Sequence, residues 1–143
     1  MEGGADVEIQ VGMSEVVLRI GPGLSLREAA SRMSERGIGA AIVEDEEWPV
    51  PRVLTERDLL NAIGSGLDPD SELVRDHMSE KVITASPDWS MERAATEMSK
   101  RGIRHLVVCS DGELVGVLSM RDIMRAWTSD GATSEGPPNR QAA

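Results

Sequence analysis

Two short stretches place a hydroxyl, a cation and a carboxylate together at the point where an aliphatic strand gives way to a helix. One is Ser119-Met120-Arg121-Asp122 and the other is Thr55-Glu56-Arg57-Asp58. In both, the hydroxyl residue stands where a helix N-cap would, and the Asp follows three residues later. Such a corner offers an acceptor, a donor and the free backbone N–H groups of a helix start. The sequence therefore predicts two polar binding corners.

The composition limits the class of protein to which these corners belong. The chain has 143 residues, of which 40% are hydrophobic, enough for one compact domain or two small packed ones. Only 2% are aromatic, three Trp with no Phe or Tyr, so the core must be aliphatic. This scarcity also argues against single-stranded nucleic acid, which stacks on aromatic side chains. A net charge of -10 argues against a nucleic-acid duplex or an anionic membrane as a partner.

Cysteine usage and hydropathy indicate the compartment. One Cys cannot form an internal disulfide, which is typical of a reducing cytoplasm. No stretch approaches the roughly 18 apolar residues of a membrane span, and no charged-then-apolar leader opens the sequence. We therefore expect a soluble, cytoplasmic protein.

The sequence also repeats itself. Gly37-Ile38 recurs as Gly102-Ile103, and Met13-Ser14-Glu15 recurs at the same interval as Met78-Ser79-Glu80. The two corners lie one residue closer together than the other matched positions do. The second copy is therefore one residue shorter than the first between these landmarks. Two copies of one unit make up nearly the whole protein.

Each copy is predicted to fold as strand, helix, strand, strand, helix. The first strands are expected at 16–18 and 82–83, and the first helix runs from a capping box at Ser25 to a stop at Gly37. The equivalent helix in the second copy has the same spacing of apolar residues. In both helices these residues lie at i, i+3, i+4 and i+7, which predicts a core-facing stripe of Leu26, Ala29, Ala30 and Met33, or of Met91, Ala94, Ala95 and Met98.

The connection between the last two strands differs between the copies. Ser110-Asp111-Gly112-Glu113 is a hairpin turn signal in the second copy. In the first copy, the longer segment 45–51 contains Pro49 and Pro51, which favour an irregular loop or an edge.

The predicted fold class is α/β, or α+β, with two β-α-β-β-α repeats. One copy of about 60 residues would bury too small a core to be stable alone, so we expect the copies to pack with pseudo-twofold symmetry. That arrangement leaves two equivalent clefts between them. The predicted divisions are a disordered tail at 1–8, a first domain at 9–66, a linker at 67–73, a second domain at 74–127 and a disordered tail at 128–143.

The doubled unit resembles a pair of CBS domains, the regulatory repeat named after cystathionine β-synthase and also called a Bateman module. The resemblance covers about Ile9 to Trp127. It rests on four stretches, Val74-Arg75-Asp76-His77-Met78, Gly102-Ile103-Arg104-His105-Leu106-Val107-Val108, Gly116-Val117-Leu118-Ser119-Met120-Arg121-Asp122 and Thr55-Glu56-Arg57-Asp58-Leu59-Leu60.

The resemblance implies small sheets with flanking helices, frequent homodimers, and binding of AMP, ATP or S-adenosylmethionine in the clefts. Since no enzyme or channel domain accompanies the pair in this sequence, it is similar to stand-alone CBS-pair proteins. The implied function is that of a regulatory sensor, whose ligand shifts the population between two arrangements of the paired domains. The alternative is a ligand-free scaffold whose dimer surface binds other proteins. An enzyme is not expected.

The resemblance also implies roles for individual residues. A carboxylate can accept both hydroxyls of a ribose through charge-assisted bonds, and in the family the two corner aspartates would hold ribose. The corner hydroxyls would add a bond, while helix N–H groups favour a phosphate. The implied ligand-binding residues are Thr55, Arg57, Asp58, Thr84, Ile103, Arg104, His105, Ser119, Arg121 and Asp122. Among them Thr84 and Ile103 would lie near the adenine.

The two halves differ at several of these positions. Gly39 and Ala40 stand where the second copy has Arg104 and His105. Likewise Arg19 replaces Thr84, and Arg52 replaces Gly116, where its side chain could crowd the first cleft or supply charge. The second half is therefore expected to be the better nucleotide site.

Each assignment has a structural alternative. Ser or Thr followed three residues later by Asp is also a capping-box variant, in which Asp58 and Asp122 only close helix ends. The cations Arg57 and Arg121 can be solvated, and His105 can be a surface residue. The Met stripe of the two helices, Met33 with Met91 and Met98, is expected in the core. No catalytic thiol is expected, since Cys109 and His105 lie about 13 Å apart along a strand. No structural zinc site is expected either, because His77 and His105 show no ligand spacing with the single Cys.

Overall fold

The computed structural model describes the backbone of residues 7–131 and the side chains of residues 7–128. The elements follow the predicted order, with a short helix added before the first copy and a 3₁₀ turn before the second. In chain order they are α1 (Ile9–Gly12), β1 (Arg19–Ile20), α2 (Leu26–Arg36), β2 (Ala40–Val43), β3 (Arg52–Thr55), α3 (Glu56–Gly64), the 3₁₀ turn (Val74–Asp76), β4 (Thr84–Ala85), α4 (Met91–Arg101), β5 (His105–Ser110), β6 (Glu113–Ser119) and α5 (Met120–Gly131).

Contacts divide this chain into two units. Among the described residues, the first unit spans 16–82, and the second combines 7–15 with 83–131. Each holds a three-stranded sheet, ordered β1-β2-β3 in the first unit and β4-β5-β6 in the second. In both sheets the first pair of strands is parallel and the second pair is antiparallel. The predicted mixed α+β class and the doubled order of elements are confirmed.

Each sheet packs one face against the helices of its own unit. In the first unit the core contains Leu26, Ala29 and Met33 of α2 together with the strand residues Ala41, Val43 and Leu54. The core of the second unit is built in the same way from Met91, Ala94 and Met98 of α4 with Leu106, Val108 and Leu118. Three of the four predicted residues of each helical stripe therefore lie in the core. Ala95 is half-buried and packs against the second core, and Ala30 is half-buried outside the first core.

The longer helices begin and end where the sequence predicts. The Ser25 side chain accepts a hydrogen bond from the Glu28 backbone N–H at 3.1 Å, and Gly37 ends α2 with φ 64°. In α4, Ser90 accepts from Arg93 N at 3.0 Å, and Gly102 has φ 65°. Positive φ strains residues with a Cβ, so glycine fits the C-cap of both helices.

The hairpin between β5 and β6 is also as predicted. Asp111 and Gly112 both have positive φ, 54° and 81°. Two consecutive positive φ values are characteristic of the type I′ turn, whose twist matches that of the strands it joins.

Segments that precede each repeat supply an edge partner to the sheet of the other repeat. Ser14 exchanges backbone hydrogen bonds with Val117 of β6, at 2.9 and 3.0 Å. Ser79, its equivalent in the second copy, exchanges them with Val53 of β3, at 2.8 and 3.3 Å. Sequence order places residues 9–15 with the first domain and residues 74–82 with the second. The hydrogen bonds at the sheet edges instead join residues 9–15 to the second sheet and residues 74–82 to the first.

Several local expectations need correction. The first strands lie at Arg19–Ile20 and Thr84–Ala85, a few residues after the predicted runs, because the hydrogen-bonded ladder with the second strands starts only there. Residues 7–8 are not frayed: Val7 packs against the second core, and its carbonyl accepts from Met91 N at 2.8 Å. The rest of the predicted N-terminal tail lies outside the described residues.

The C-terminal tail was predicted to start at residue 128, but α5 continues to Gly131. Residues 132–143 lie outside the described part of the chain. Within residues 7–131, none of the helices combines the length and the apolar character that crossing a bilayer requires.

Candidate functional site

The corner of the first unit is a closed set of hydrogen bonds at the junction of β3 and α3. The Asp58 Oδ2 atom accepts from the Thr55 backbone N at 2.8 Å and from the Thr55 hydroxyl at 3.1 Å. In return, Asp58 N donates to Thr55 Oγ1 at 3.3 Å. This is a complete capping box, which orients the carboxylate and leaves it only half-buried.

The corner of the second unit repeats this arrangement at the junction of β6 and α5. Asp122 Oδ2 accepts from Ser119 N at 2.8 Å, and Asp122 N donates to Ser119 Oγ at 3.1 Å. One further contact has no counterpart in the first unit. Arg125 Nη1 donates to Asp122 Oδ1 at 3.1 Å, with the Asp122 side chain 12% exposed and that of Arg125 63% exposed.

A backbone bond ties each corner to the loop that follows the preceding helix. Met120 N donates to the Arg104 carbonyl at 2.9 Å, and Glu56 N donates to the Gly39 carbonyl at 2.9 Å. The residue before β5 is therefore held beside the start of α5. This bond brings Arg104, distant in sequence, to the Ser119–Asp122 corner.

The face of the second sheet that does not pack against its core carries more of the predicted residues. His105 lies opposite Ser119, and Thr84 lies opposite Val107. Because side chains alternate between faces along a strand, Thr84, His105 and Ser119 share one face. Thr84 is exposed, and His105 and Ser119 are half-buried. The structure thus brings these three together, one helical turn from Asp122.

The remaining predicted residues of the second unit differ in exposure. Arg104 and Arg121 are exposed, and within the part of the chain that the structure describes neither forms an ion pair. Arg57, the first-unit equivalent of Arg121, is also exposed. Ile103 is half-buried and packs against the core of its unit. Two cations therefore stand near the second corner with their charges unneutralised.

Cations that replace site residues in the first unit have other partners. Arg19 lies opposite Ile42 and pairs with Glu44, Nη1 to Oε2, at 2.6 Å. Arg52 stacks over the Trp48 ring at 4.2 Å from its centroid and lies 3.8 Å from Glu80. Both charges are already balanced, whereas those of Arg104 and Arg121 are not.

The histidines and the cysteine form no further centre. His77 Nε2 contacts Glu72 Oε1 at 2.7 Å, an ordinary structural pair. Burial raises the pKa of the Cys109 thiol, which disfavours the nucleophilic thiolate. Among the described residues, His, Cys, Asp and Glu nowhere gather in threes as a metal site requires.

Sequence reasoning missed the ion pair between Asp122 and Arg125. The i,i+3 spacing of an acid and a base on one helix is the signal that would have found it. When the two corners are aligned, the equivalent position in the first unit is Asn61, so the pair exists in one corner and not in the other.

Comparisons with known proteins agree on one family. The model of the CBS domain matches residues 6–65 and 74–129. An uncharacterized protein of Methanopyrus kandleri is 37% identical over 100 residues, which are 68% of this chain and 51% of that protein. This chain thus spans about half the length of that curated relative.

Solved structures agree as well. The crystal structure of an uncharacterized conserved protein from Pyrococcus horikoshii has a TM-score of 0.77 and 26% identity, and the match covers 85% of this chain and 92% of that one. The CBS domain pair of protein MJ0100, solved with methylthioadenosine and S-adenosyl-L-methionine, has a TM-score of 0.76 and 23% identity, with 86% and 97% covered. At that identity the second likeness concerns the fold alone. The matched domain is a regulatory module.

Proposed function

Because the chain belongs to the CBS domain family, we propose that it is a regulatory sensor for an adenosine-type ligand. The candidate ligands are AMP, ATP and S-adenosylmethionine, each of which carries a ribose cis-diol next to adenine. Binding favours whichever arrangement of the protein holds the ligand more tightly, and this changes assembly or partner affinity.

The observation that carries the proposal is the geometry of the two corners. In each, an aspartate is held in one orientation by its own N-cap residue, within hydrogen-bond reach of a helix start. A carboxylate oriented in advance accepts ribose hydroxyls without the cost of ordering its side chain. The crystallised MJ0100 pair, with its two adenosyl ligands, supports the ligand class.

The chemistry near the second corner suits the rest of a nucleotide. Exposed Arg104 and Arg121 add positive charge to a chain with a net charge of -10. Thr84 shares a sheet face with Ser119 and offers a hydroxyl to the base. We assign ligand contacts to Thr55, Arg57 and Asp58 in the first unit, and to Thr84, Ile103, Arg104, His105, Ser119, Arg121 and Asp122 in the second.

A specific observation favours the scaffold alternative. Both aspartates already close helix N-termini, and the box around Asp58 is complete without any ligand. In that case the carboxylates contribute helix stability alone, and the protein acts through its surface.

Titration with adenosine separates the two functions. We expect the wild-type protein to bind adenosine, and 2′-deoxyadenosine about tenfold or more weakly, because one charge-assisted hydrogen bond is lost. The double variant Asp58→Asn, Asp122→Asn keeps a side-chain oxygen to accept the capping bonds but removes the charge. It should bind adenosine at least about tenfold more weakly while remaining folded.

Asp111→Asn is the control for loss of an aspartate charge away from the corners, since Asp111 lies in the exposed hairpin turn. It should leave adenosine binding unchanged. If the folded wild-type protein takes up no adenosine, AMP or S-adenosylmethionine at millimolar concentration, the sensor function is wrong and the scaffold is favoured.

We also propose that the protein forms a homodimer through the outer faces of α3 and α5. Leu60 and Ile63 are 70% and 55% exposed, and their equivalents Met124 and Trp127 are 59% and 38% exposed. Large apolar side chains lie at matching positions in both repeats, so each repeat exposes the same apolar patch. A twofold dimer buries such a patch against its own copy.

A further inference from the structure

The two corner carboxylates differ in how many of their oxygens are already engaged. In Asp122, Oδ2 accepts from Ser119 N and Oδ1 accepts from Arg125 Nη1. In Asp58, Oδ2 accepts both bonds from Thr55, and within the described residues Oδ1 accepts none.

This difference follows from one substitution between the repeats. Arg125 lies three residues after Asp122, where an i,i+3 pair meets on one helix face. Asn61 holds the equivalent position after Asp58 and carries no charge. The ion pair is therefore a property of the second repeat alone.

A ribose cis-diol offers two hydroxyl donors to a carboxylate. At Asp58 both lone pairs of Oδ2 already accept from the Thr55 N–H and hydroxyl, while Oδ1 is free to accept both ribose hydroxyls. At Asp122 Oδ1 already accepts from Arg125 Nη1, so the guanidinium must move away before this oxygen can accept as many bonds. The Asp122 side chain is 12% exposed but that of Arg125 is 63% exposed, so solvent weakens the ion pair and the expected change in Kd is modest.

We propose that Arg125 is an internal competitor for the ribose at the second corner, so that a nucleoside binds Asp58 first and Asp122 more weakly. This inference rests on the proposed adenosine-sensing function and names the residue that ranks its two sites. It opposes the ranking expected from the charges of Arg104 and Arg121, which act on a phosphate and not on the sugar. Adenosine, which has no phosphate, isolates the effect of Arg125.

The experiment uses the full chain with one corner disabled at a time. In the Asp58→Asn protein, remaining adenosine binding reports the second corner, and adding Arg125→Asn should lower its Kd by about twofold to tenfold. In the Asp122→Asn protein, Asn61→Arg should raise the Kd of the first corner by a similar factor. Both changes should be absent with 2′-deoxyadenosine, which lacks the diol.

The matched control is Arg125→Asn in the Asp122→Asn protein, where Kd for adenosine should not change. If Arg125→Asn weakens adenosine binding at the second corner or leaves it unchanged, Arg125 does not compete with ribose and the inference is overturned. In those cases the proposed function survives. Absence of adenosine binding to the folded wild-type protein overturns the proposed function and this inference together.

Discussion

Gly116 is the residue at which the N-terminal segment crosses the second sheet. A Cβ built on it would lie 2.8 Å from the Ser14 carbonyl oxygen and 2.8 Å from Met13 Sδ. The oxygen cannot move away without loss of its hydrogen bond from Val117 N. We expect Gly116→Ala to lower the free energy of unfolding by about 1–3 kcal/mol. Urea unfolding followed by circular dichroism measures this loss.

Gly21→Ala is the control for Gly116→Ala, because a Cβ on Gly21 meets nothing within 4 Å and its φ is not positive. It should change the free energy of unfolding by less than about 0.5 kcal/mol. Equal stability of the Gly116→Ala and wild-type proteins would mean that residues 13–14 do not hold their place in solution.

At the scale of single residues, the sequence predicted the corners well and their surroundings less well. The spacing of Thr55 to Asp58 predicts a capping box, and the structure has one. Whether those carboxylates also bind a ligand remains a prediction. The partners of Arg52 were not predictable from the sequence, because Trp48 and Glu80 come into contact with it only in the folded chain.

The capping serines control the stability of the two central helices. Ser90 Oγ accepts the Arg93 N–H at the start of α4, one of four donors that have no partner within the helix. Ser90→Ala leaves that donor to water, and we expect a loss of about 1 kcal/mol in the free energy of unfolding. Thermal and urea unfolding should agree on this value.

Ser99→Ala tests whether the effect of Ser90→Ala belongs to the cap. Ser99 is exposed inside the same helix, where alanine has the higher helix propensity. That variant should be as stable as the wild-type protein or slightly more stable. A similar loss in both variants would show that serine content, and not capping, sets the stability of α4.

Helices were predicted more closely than strands, for a local reason. The bounds of α2 follow from Ser25 and Gly37, whose side chains and backbone act within one turn. In contrast, β1 is only Arg19–Ile20, and its start depends on where β2 offers hydrogen-bond partners. The short α1 carries no capping signal, since Glu8 makes no side-chain cap bond.

For the whole molecule, the repeat predicted the number of units but not the exchange of edge segments. Met13-Ser14-Glu15 and Met78-Ser79-Glu80 are identical in sequence, so no local signal says which sheet each will join. The structure places each beside the sheet of the other repeat, through Val117 and Val53. Each unit thus contains residues that the sequence order assigns to its neighbour.

At the scale of the whole molecule, the proposed homodimer forms through the apolar outer faces of α3 and α5. Leu60→Glu and Trp127→Glu each put a charge into the surface proposed to be buried between two copies, and we expect each to raise the dimer dissociation constant at least about tenfold. Light scattering after size exclusion should give twice 15.4 kDa for the wild-type protein and a monomer for the variants. Val11→Glu is the control, since Val11 is 75% exposed on α1, outside these faces, and should remain dimeric. A wild-type monomer, or loss of the dimer only with Val11→Glu, would contradict this interface.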